Sequence, residues 1–343
     1  MGSSVARLLP CILFCLSLAD PALAVTFKIA TEAPDGLSFM KKVRAATQQI
    51  KSDTQGRVKF KIYPGGVQGD DQTVLRKIRA GQLHGGIVAA GSLTKFYPDL
   101  QVYNLPLSFR SYAEVDIVRE HLDEVIIAGL KSAGIVPFGL TETGFAYILS
   151  NTPIKSLDDV LKIKAWIPAS DPTVLNLIES FGISPIPLKF ADVLPGLQTG
   201  LIDAVASPPV VVIAMQWHTR VKYITELPIM YIYSMLMLDQ KAFDKMSSVD
   251  KLIVESTLTE VFADIARGNR ADNLAAYNVI LGQDIQEVRP SPAELQEWQL
   301  KSDASIRNLV EAGSLSSEIV GQLHRHLSEI RDNDASMELS HSK

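Results

Sequence analysis

Few residues of this chain have the types and spacings that chemistry needs. His324 and His326 stand two apart in a stretch of helical pattern, so their rings face different directions and make a poor metal pair. Asp158 and Asp159 read as helix-capping carboxylates rather than an acid–base pair. His84 stands alone and reads as structural. Cys11 and Cys15 both lie in an apolar run near the start, and residues 25–343 hold no cysteine. A cysteine nucleophile, a thiolate metal site and a disulfide are therefore excluded there. The same residues contain no HExxH, no P-loop and no GxSxG elbow. These residue types point to binding without catalysis, and none of them calls for a cofactor.

The elements that must position a binding site are those of an α/β protein. Residues 1–24 read as a signal peptide: Arg7 precedes the apolar run Leu8–Leu18, and Ala22-Leu23-Ala24 supplies a small-x-small cleavage site. That run is too short for a comfortable membrane span, and neither cysteine follows the small residue of a lipoprotein signal. Phe27–Ala30 and Arg57–Tyr63 alternate like strands, with Phe39, Val43, Ala46 and Ile50 at helical spacing between them. Asp70 or Asp71 caps a helix through about Ala80, and Gly85–Ala90 reads as a short buried strand. A second unit repeats this rhythm from Phe145, with a strand at Ala165-Trp166-Ile167 and a long helical pattern from Ser247 to Gln286. Strands alternating with helices predict two α/β domains with mostly parallel sheets. The formal net charge is −5 with no basic block, which argues against a nucleic-acid partner.

Several motifs carry a family resemblance. Gly56–Gly69, Asn104–Tyr112 and Leu197–Asp203 stand in order with Gly144–Pro209, and Trp217-His218 follows them. Over roughly residues 26–300 the chain resembles the DctP-type substrate-binding proteins of TRAP transporters, periplasmic receptors of sodium-driven uptake systems. The resemblance implies a two-domain periplasmic binding-protein fold of the α/β class, with the ligand cleft between the domains and a long bracing helix. It places domain I at residues 25–143 plus about 231–270 and domain II at 144–230 plus about 271–330, with 331–343 a disordered tail. It implies a periplasmic location and a two-part TRAP membrane permease as partner. For some atypical members, it also implies a periplasmic helical-repeat protein.

This chain departs from the family where the ligand is held. The family usually shows Gly-Phe-Arg and then Lys-Ile-Arg-Val-Pro, whose arginine clamps a substrate carboxylate. Here Ala146 follows Gly144-Phe145, and Trp166 stands in Lys164-Ala165-Trp166-Ile167-Pro168. An indole offers one N–H donor and a wide apolar face, so it cannot replace a bidentate guanidinium. Lys164 lies two residues earlier on the same strand face, where it could keep a positive charge in the cleft. Ser207 replaces the family's ligand-contacting Asn, and Ala89 and Ala90 are inert at the first domain's cleft edge. Thr31 and Glu32 occupy the cleft position of the first strand. On the crossing segment, Met230, Tyr231, Tyr233, Met235 and Met237 divide between core and cleft, with Tyr233 assigned to the cleft. The expected ligand is a hydrophobic or lipid-like small molecule held by Trp166, Phe145 and neighbouring aliphatics. Two alternatives stay open: an organic-acid receptor, and a non-transport sensor or lipid carrier on the same fold.

Overall fold

The computed structural model describes residues 24–169 and 172–341. Apart from Ala24, the expected signal peptide lies outside them. β1 (Val25–Ala30) buries Phe27 and Ile29 and leaves Lys28 exposed, the alternation of a half-covered strand. α1 (Ser38–Asp53) lays Met40, Val43, Ala46 and Ile50 on it at helical spacing. β2 (Val58–Tyr63) pairs in parallel with β1, Val58 opposite Val25. α2 (Asp71–Arg79) starts at Asp70, whose carboxylate accepts the Thr73 N–H at 2.8 Å. β3 (Gly85–Ala89) lies parallel to β1 on its other edge. α3 (Tyr112–Ser132) then leads into β4 (Ile135–Ser150), which crosses into the second unit.

That unit runs through α4 (Leu157–Val160), β5 (Trp166–Pro168), α5 (Pro172–Ser180), β6 (Ile186–Leu188), α6 (Val193–Thr199), β7 (Ala204–Ser207), α7 (Pro209–Ala214) and β8 (Tyr223–Thr225). β9 (Met230–Asp239) crosses back and leads through α8 (Gln240–Phe243) to α9 (Ser248–Leu281). β10 (Gln286–Val288), α10 (Pro292–Glu311) and α11 (Ser317–His341) complete the order. α11 carries regular helix into the polar stretch where the sequence predicts a disordered tail.

The main sheet runs β10-β8-β4-β9-β3-β1-β2, with β7 also paired to β4, while β5 and β6 form a separate parallel pair. β4 and β9 are the crossing strands. β9 shows why the sheet holds two layers apart: Met235 and Met237 enter the core under α3, and Leu236 and Leu238 enter the core under α1 and α9. The second unit has its own core, in which Trp166, Trp217, Val205 and Ile224 meet. The architecture is thus two α/β units joined by crossing strands and braced by a long helix, as the resemblance implies. The main sheet is mixed rather than mostly parallel, because β9 runs antiparallel to β3 and β4, and β4 to β7 and β8.

α9 spans 34 residues, or about 50 Å at 1.5 Å per residue. It packs on α1 and β4 and, further along, on α7 of the second unit. Asn273 on α9 makes the central tie. Its Nδ2 donates to the Thr143 carbonyl at 2.7 Å, and its Oδ1 accepts the Val210 N–H at 3.2 Å. β4 passes beside it at Gly144, whose φ of +130° is open to glycine and where a Cβ would stand 2.4 Å from the Asn273 Nδ2. A second tie lies one turn away on α9. The buried Glu142 of β4 receives the Arg270 guanidinium at 2.8–3.1 Å and accepts the Tyr231 hydroxyl at 3.2 Å.

Candidate functional site

The carboxyl ends of three strands meet at one cavity of about 340 Å³. Thr31 and Glu32 follow β1, Ala89 ends β3 and Ser207 ends β7, and all four line it. Open α/β sheets place ligands at such strand ends, and the volume falls within the range of small-molecule pockets. The crossing strands contribute Thr141, Thr143 and Ala146 from β4 with Met230, Ile232 and Ser234 from β9. α9 adds Phe262, Ile265 and Asn269, and the second unit adds Trp166, Phe190, Val211 and Met215.

Trp166, Ala146, Ser207, Glu32, Thr31, Ala89 and Tyr233 all stand on this wall. Phe145 does not. Its ring packs 4.7 Å from Tyr112 and 5.7 Å from Tyr231, inside the first unit's core. Successive residues of a strand face opposite sides, so Ala146 takes the cavity face and Phe145 the core. Of the crossing-segment residues, Met230 reaches the cavity; Tyr233 borders it, but its ring is buried in the core with Tyr231, Met235 and Met237.

Two of the polar side chains on the wall have nothing to offer a ligand. The Trp166 indole N–H donates to the Leu188 carbonyl at 3.0 Å, and its ring is wedged edge-on against Trp217 and Phe190 at 5.1 and 5.3 Å. The Tyr233 hydroxyl donates to the Leu100 carbonyl. Trp166 therefore presents an apolar surface to the cavity, and the Tyr233 ring stays in the core against Tyr231 and Tyr103. Lys164 is exposed and off this wall: its ammonium donates to the Gly200 carbonyl at 3.1 Å, and its N–H donates to Asp203 Oδ1 at 2.7 Å. The positive charge weighed for it in the cleft is therefore spent elsewhere.

Among the described lining residues there is no Lys, Arg or His, and the acids are Glu32, Asp71 and Asp272. Burial, reinforced by the charge of Asp70, pushes the Glu32 carboxyl up to about 7. Burial, then the charge of Glu32, pushes Asp71 up to about 8, although Asp71 Oδ2 accepts the Ala89 N–H at 2.9 Å. Asp71 was not legible as a site residue, because either member of Asp70-Asp71 suits a helix start. Asp70 takes the cap and Asp71 turns inward. Phe190 and Met215 were missed for want of any motif around them. Outside the cavity, His326 stacks at 4.1 Å on His121 of α3, not on His324. Among the described residues no group of three or more His, Cys, Asp and Glu is placed to hold a metal ion. No helix among them is long and apolar enough to cross a membrane.

Comparison with known proteins gives a consistent match. The family profile of the DctP proteins, bacterial extracellular solute-binding protein family 7, matches residues 29–312. The C4-dicarboxylate-binding periplasmic protein DctP of Rhodobacter capsulatus is 26% identical over 258 residues, covering 71% of this chain and 75% of that protein. The sialic acid-binding periplasmic protein SiaP of Vibrio cholerae is 22% identical over 243 residues, covering 69% and 74%. Among solved structures, the sugar acid binding protein DctPAm of Advenella mimigardefordensis, in complex with galactonate, superposes with a TM-score of 0.80. It is 19% identical, and the alignment covers 89% of this chain and 99% of that one. At that identity the likeness speaks for the fold.

Proposed function

The chain belongs to the DctP family, family 7 of the bacterial extracellular solute-binding proteins, and we propose that its solute is uncharged and largely apolar. It is a TRAP-type solute receptor and not an enzyme: it binds a small ligand and works with TRAP membrane permeases. On our reading it acts in the periplasm, as the signal-like residues 1–24 suggest. Its domains are residues 25–143 with about 231–270, and 144–230 with about 271–330. A separate buried core around Trp166, Trp217 and Ile224 speaks for a second unit. Leu315, Ile319 and Leu323 near the end of the chain, however, pack in the first unit's core against α3, so the last helix groups with the first unit rather than with 144–230.

The observation that carries the ligand class is the cavity wall. Its described residues include no cation, and Glu32 and Asp71 stand on it. A carboxylate enclosed without a cationic partner costs several kcal/mol. The Rhodobacter protein is named for C4-dicarboxylates, and the Advenella structure holds galactonate. This chain offers Ala146 and a hydrogen-bonded Trp166 where its family carries arginines. Domain closure over an apolar solute would bury hydrocarbon against Trp166, Phe190 and Met215, at roughly 25 cal/mol per Å².

Native mass spectrometry of the protein purified from its own periplasm, followed by calorimetry, tests the reading. A co-purified neutral apolar species is the expected result. Tight calorimetric binding of succinate or galactonate overturns it.

A further inference from the structure

α9 lays one of its faces along the cavity. Phe262, Ile265, Asn269 and Asp272 line it at spacings of three, four and three residues, which keeps them in one row on the helix. From Phe262 to Asp272 the row is about 15 Å long at 1.5 Å per residue. Phe262 and Ile265 are 2% and 3% exposed, with Leu37 and Phe39 of the same wall packed against their core. Asn269 is half-buried and Asp272 is exposed, so the row runs from the apolar interior of the cavity towards solvent. The two polar residues offer acceptors. Asn269 spends its Nδ2 on the Glu142 carbonyl, which leaves it the amide oxygen. No described residue pairs with the Asp272 carboxylate. The two side chains stand one turn apart, with about 5–6 Å between their Cβ atoms.

Resting on the reading that the solute is uncharged and largely apolar, we propose that it is amphipathic, with a hydrogen-bond donor held at Asn269 and Asp272 and its apolar part along Phe262 and Ile265. The donor is an N–H or an O–H. A primary carboxamide has two such hydrogens and a hydroxyl has one, whereas an ether, an ester or a tertiary amide has none. A carboxylate brings only acceptors to a place that already holds acceptors, and its charge opposes that of Asp272. A full positive charge on the solute would add little, since ion pairs at exposed carboxylates contribute weakly and are screened by salt. The orientation follows from the row: the donor faces the open end, and the hydrocarbon points inward to Leu37 and Phe39.

Octanamide, N,N-dimethyloctanamide, octanoate and octylammonium share a chain length and differ in the head group. Calorimetric titrations would use the full protein, Asp272→Ala, which removes the acceptor, and Asp272→Asn, which keeps an acceptor without the charge. Asp272 is exposed, so neither substitution empties a core site. We expect octanamide to bind at least about fivefold more tightly than its dimethyl analogue. Asp272→Ala should remove most of that preference, and Asp272→Asn should retain it. Equal affinities for the two amides, a preference unchanged in Asp272→Ala or lost in Asp272→Asn, or no binding of octanamide overturns the donor assignment. Pyrene, a fluorescent hydrocarbon without a donor, reports on the apolar wall alone, so its uptake in those cases leaves the apolar reading standing. Octanoate or octylammonium binding more tightly than octanamide overturns the uncharged reading, and failure to take up pyrene overturns the apolar one.

Discussion

The indole N–H of Trp166 donates to the backbone carbonyl of Leu188, 22 residues further along the chain. The bond joins β5 to β6 across their parallel pairing, Trp166 opposite Ile186. The Trp166 side chain is thus part of the second unit's own frame. It serves the cavity as a wall and gives it no donor.

Replacing that wall should therefore cost stability. Trp166→Ala is expected to lose about 3–5 kcal/mol, the usual price of emptying a buried aromatic site. Trp166→Arg should lose at least as much, because it leaves a cation beside Trp217 and Phe190 with no carboxylate on them. Urea unfolding followed by circular dichroism measures both. An arginine variant with an unchanged midpoint that also binds succinate would show that the indole is a replaceable lining.

Stability should fall as pH rises from about 4.5 to 8. Glu32 and Asp71 ionise at about 7 and 8 in the folded protein, against ordinary values of 4.5 and 3.8. Across that window the folded state binds more protons than the unfolded chain. The contribution of these two groups is therefore fully present below the unfolded values and lost as pH passes the folded ones. Asp250 and Asp264, held low by Arg57 and Lys42, lose their contributions only below the ordinary carboxyl range, outside this window. Urea midpoints from pH 5 to 8.5 should decline. Asp71→Asn, which keeps an acceptor for the Ala89 N–H, should flatten the decline.

Gly144→Ala should destabilise the chain by about 1–3 kcal/mol, the range for a non-glycine residue held in a sparsely populated conformation. Its φ is +130°, and the added carbon would displace the Asn273 amide. Thermal unfolding reads the loss. A variant as stable as the parent would mean that β4 can relax at this point without disturbing α9.

Arg270→Ala should cost about 3 kcal/mol, the lower end of the range for removing one partner of a buried ion pair. Glu142 is 1% exposed and would keep only the Tyr231 hydroxyl on its carboxylate. Adding Glu142→Gln to that variant should recover part of the loss, and a double-mutant cycle in urea measures the coupling.

Much of the fold was legible because it rests on local patterns. The alternation in Phe27–Ala30 and the helical spacing of Phe39, Val43, Ala46 and Ile50 are properties of neighbouring residues, and both elements form, with Met40 rather than Phe39 taking the buried position. Trp166 and Ala146 were legible as cavity residues through motif position. What those side chains do there was not, since the Leu188 carbonyl reaches Trp166 only through the β5–β6 pairing. Phe145 shows a signal that was present and could have been used: it precedes Ala146 on one strand, so both cannot face the same cleft. Asn104 opened one of the matched segments, Asn104–Tyr112, as a motif position only, and Thr141 stood in none. That both border the cavity is visible only in three dimensions.

The lack of a cation among the described residues of the cavity wall has an electrical consequence. Moving one charge through a membrane potential is worth about 2.3 kcal/mol per 100 mV. A carboxylate cargo carries that term with it, and a neutral cargo carries none. For a receptor that hands over a neutral solute, the voltage acts on uptake only through the ions that the permease moves alongside it. The size of the solute gradient is then set by the number of those ions, and each added ion raises its sensitivity to potential by a full charge.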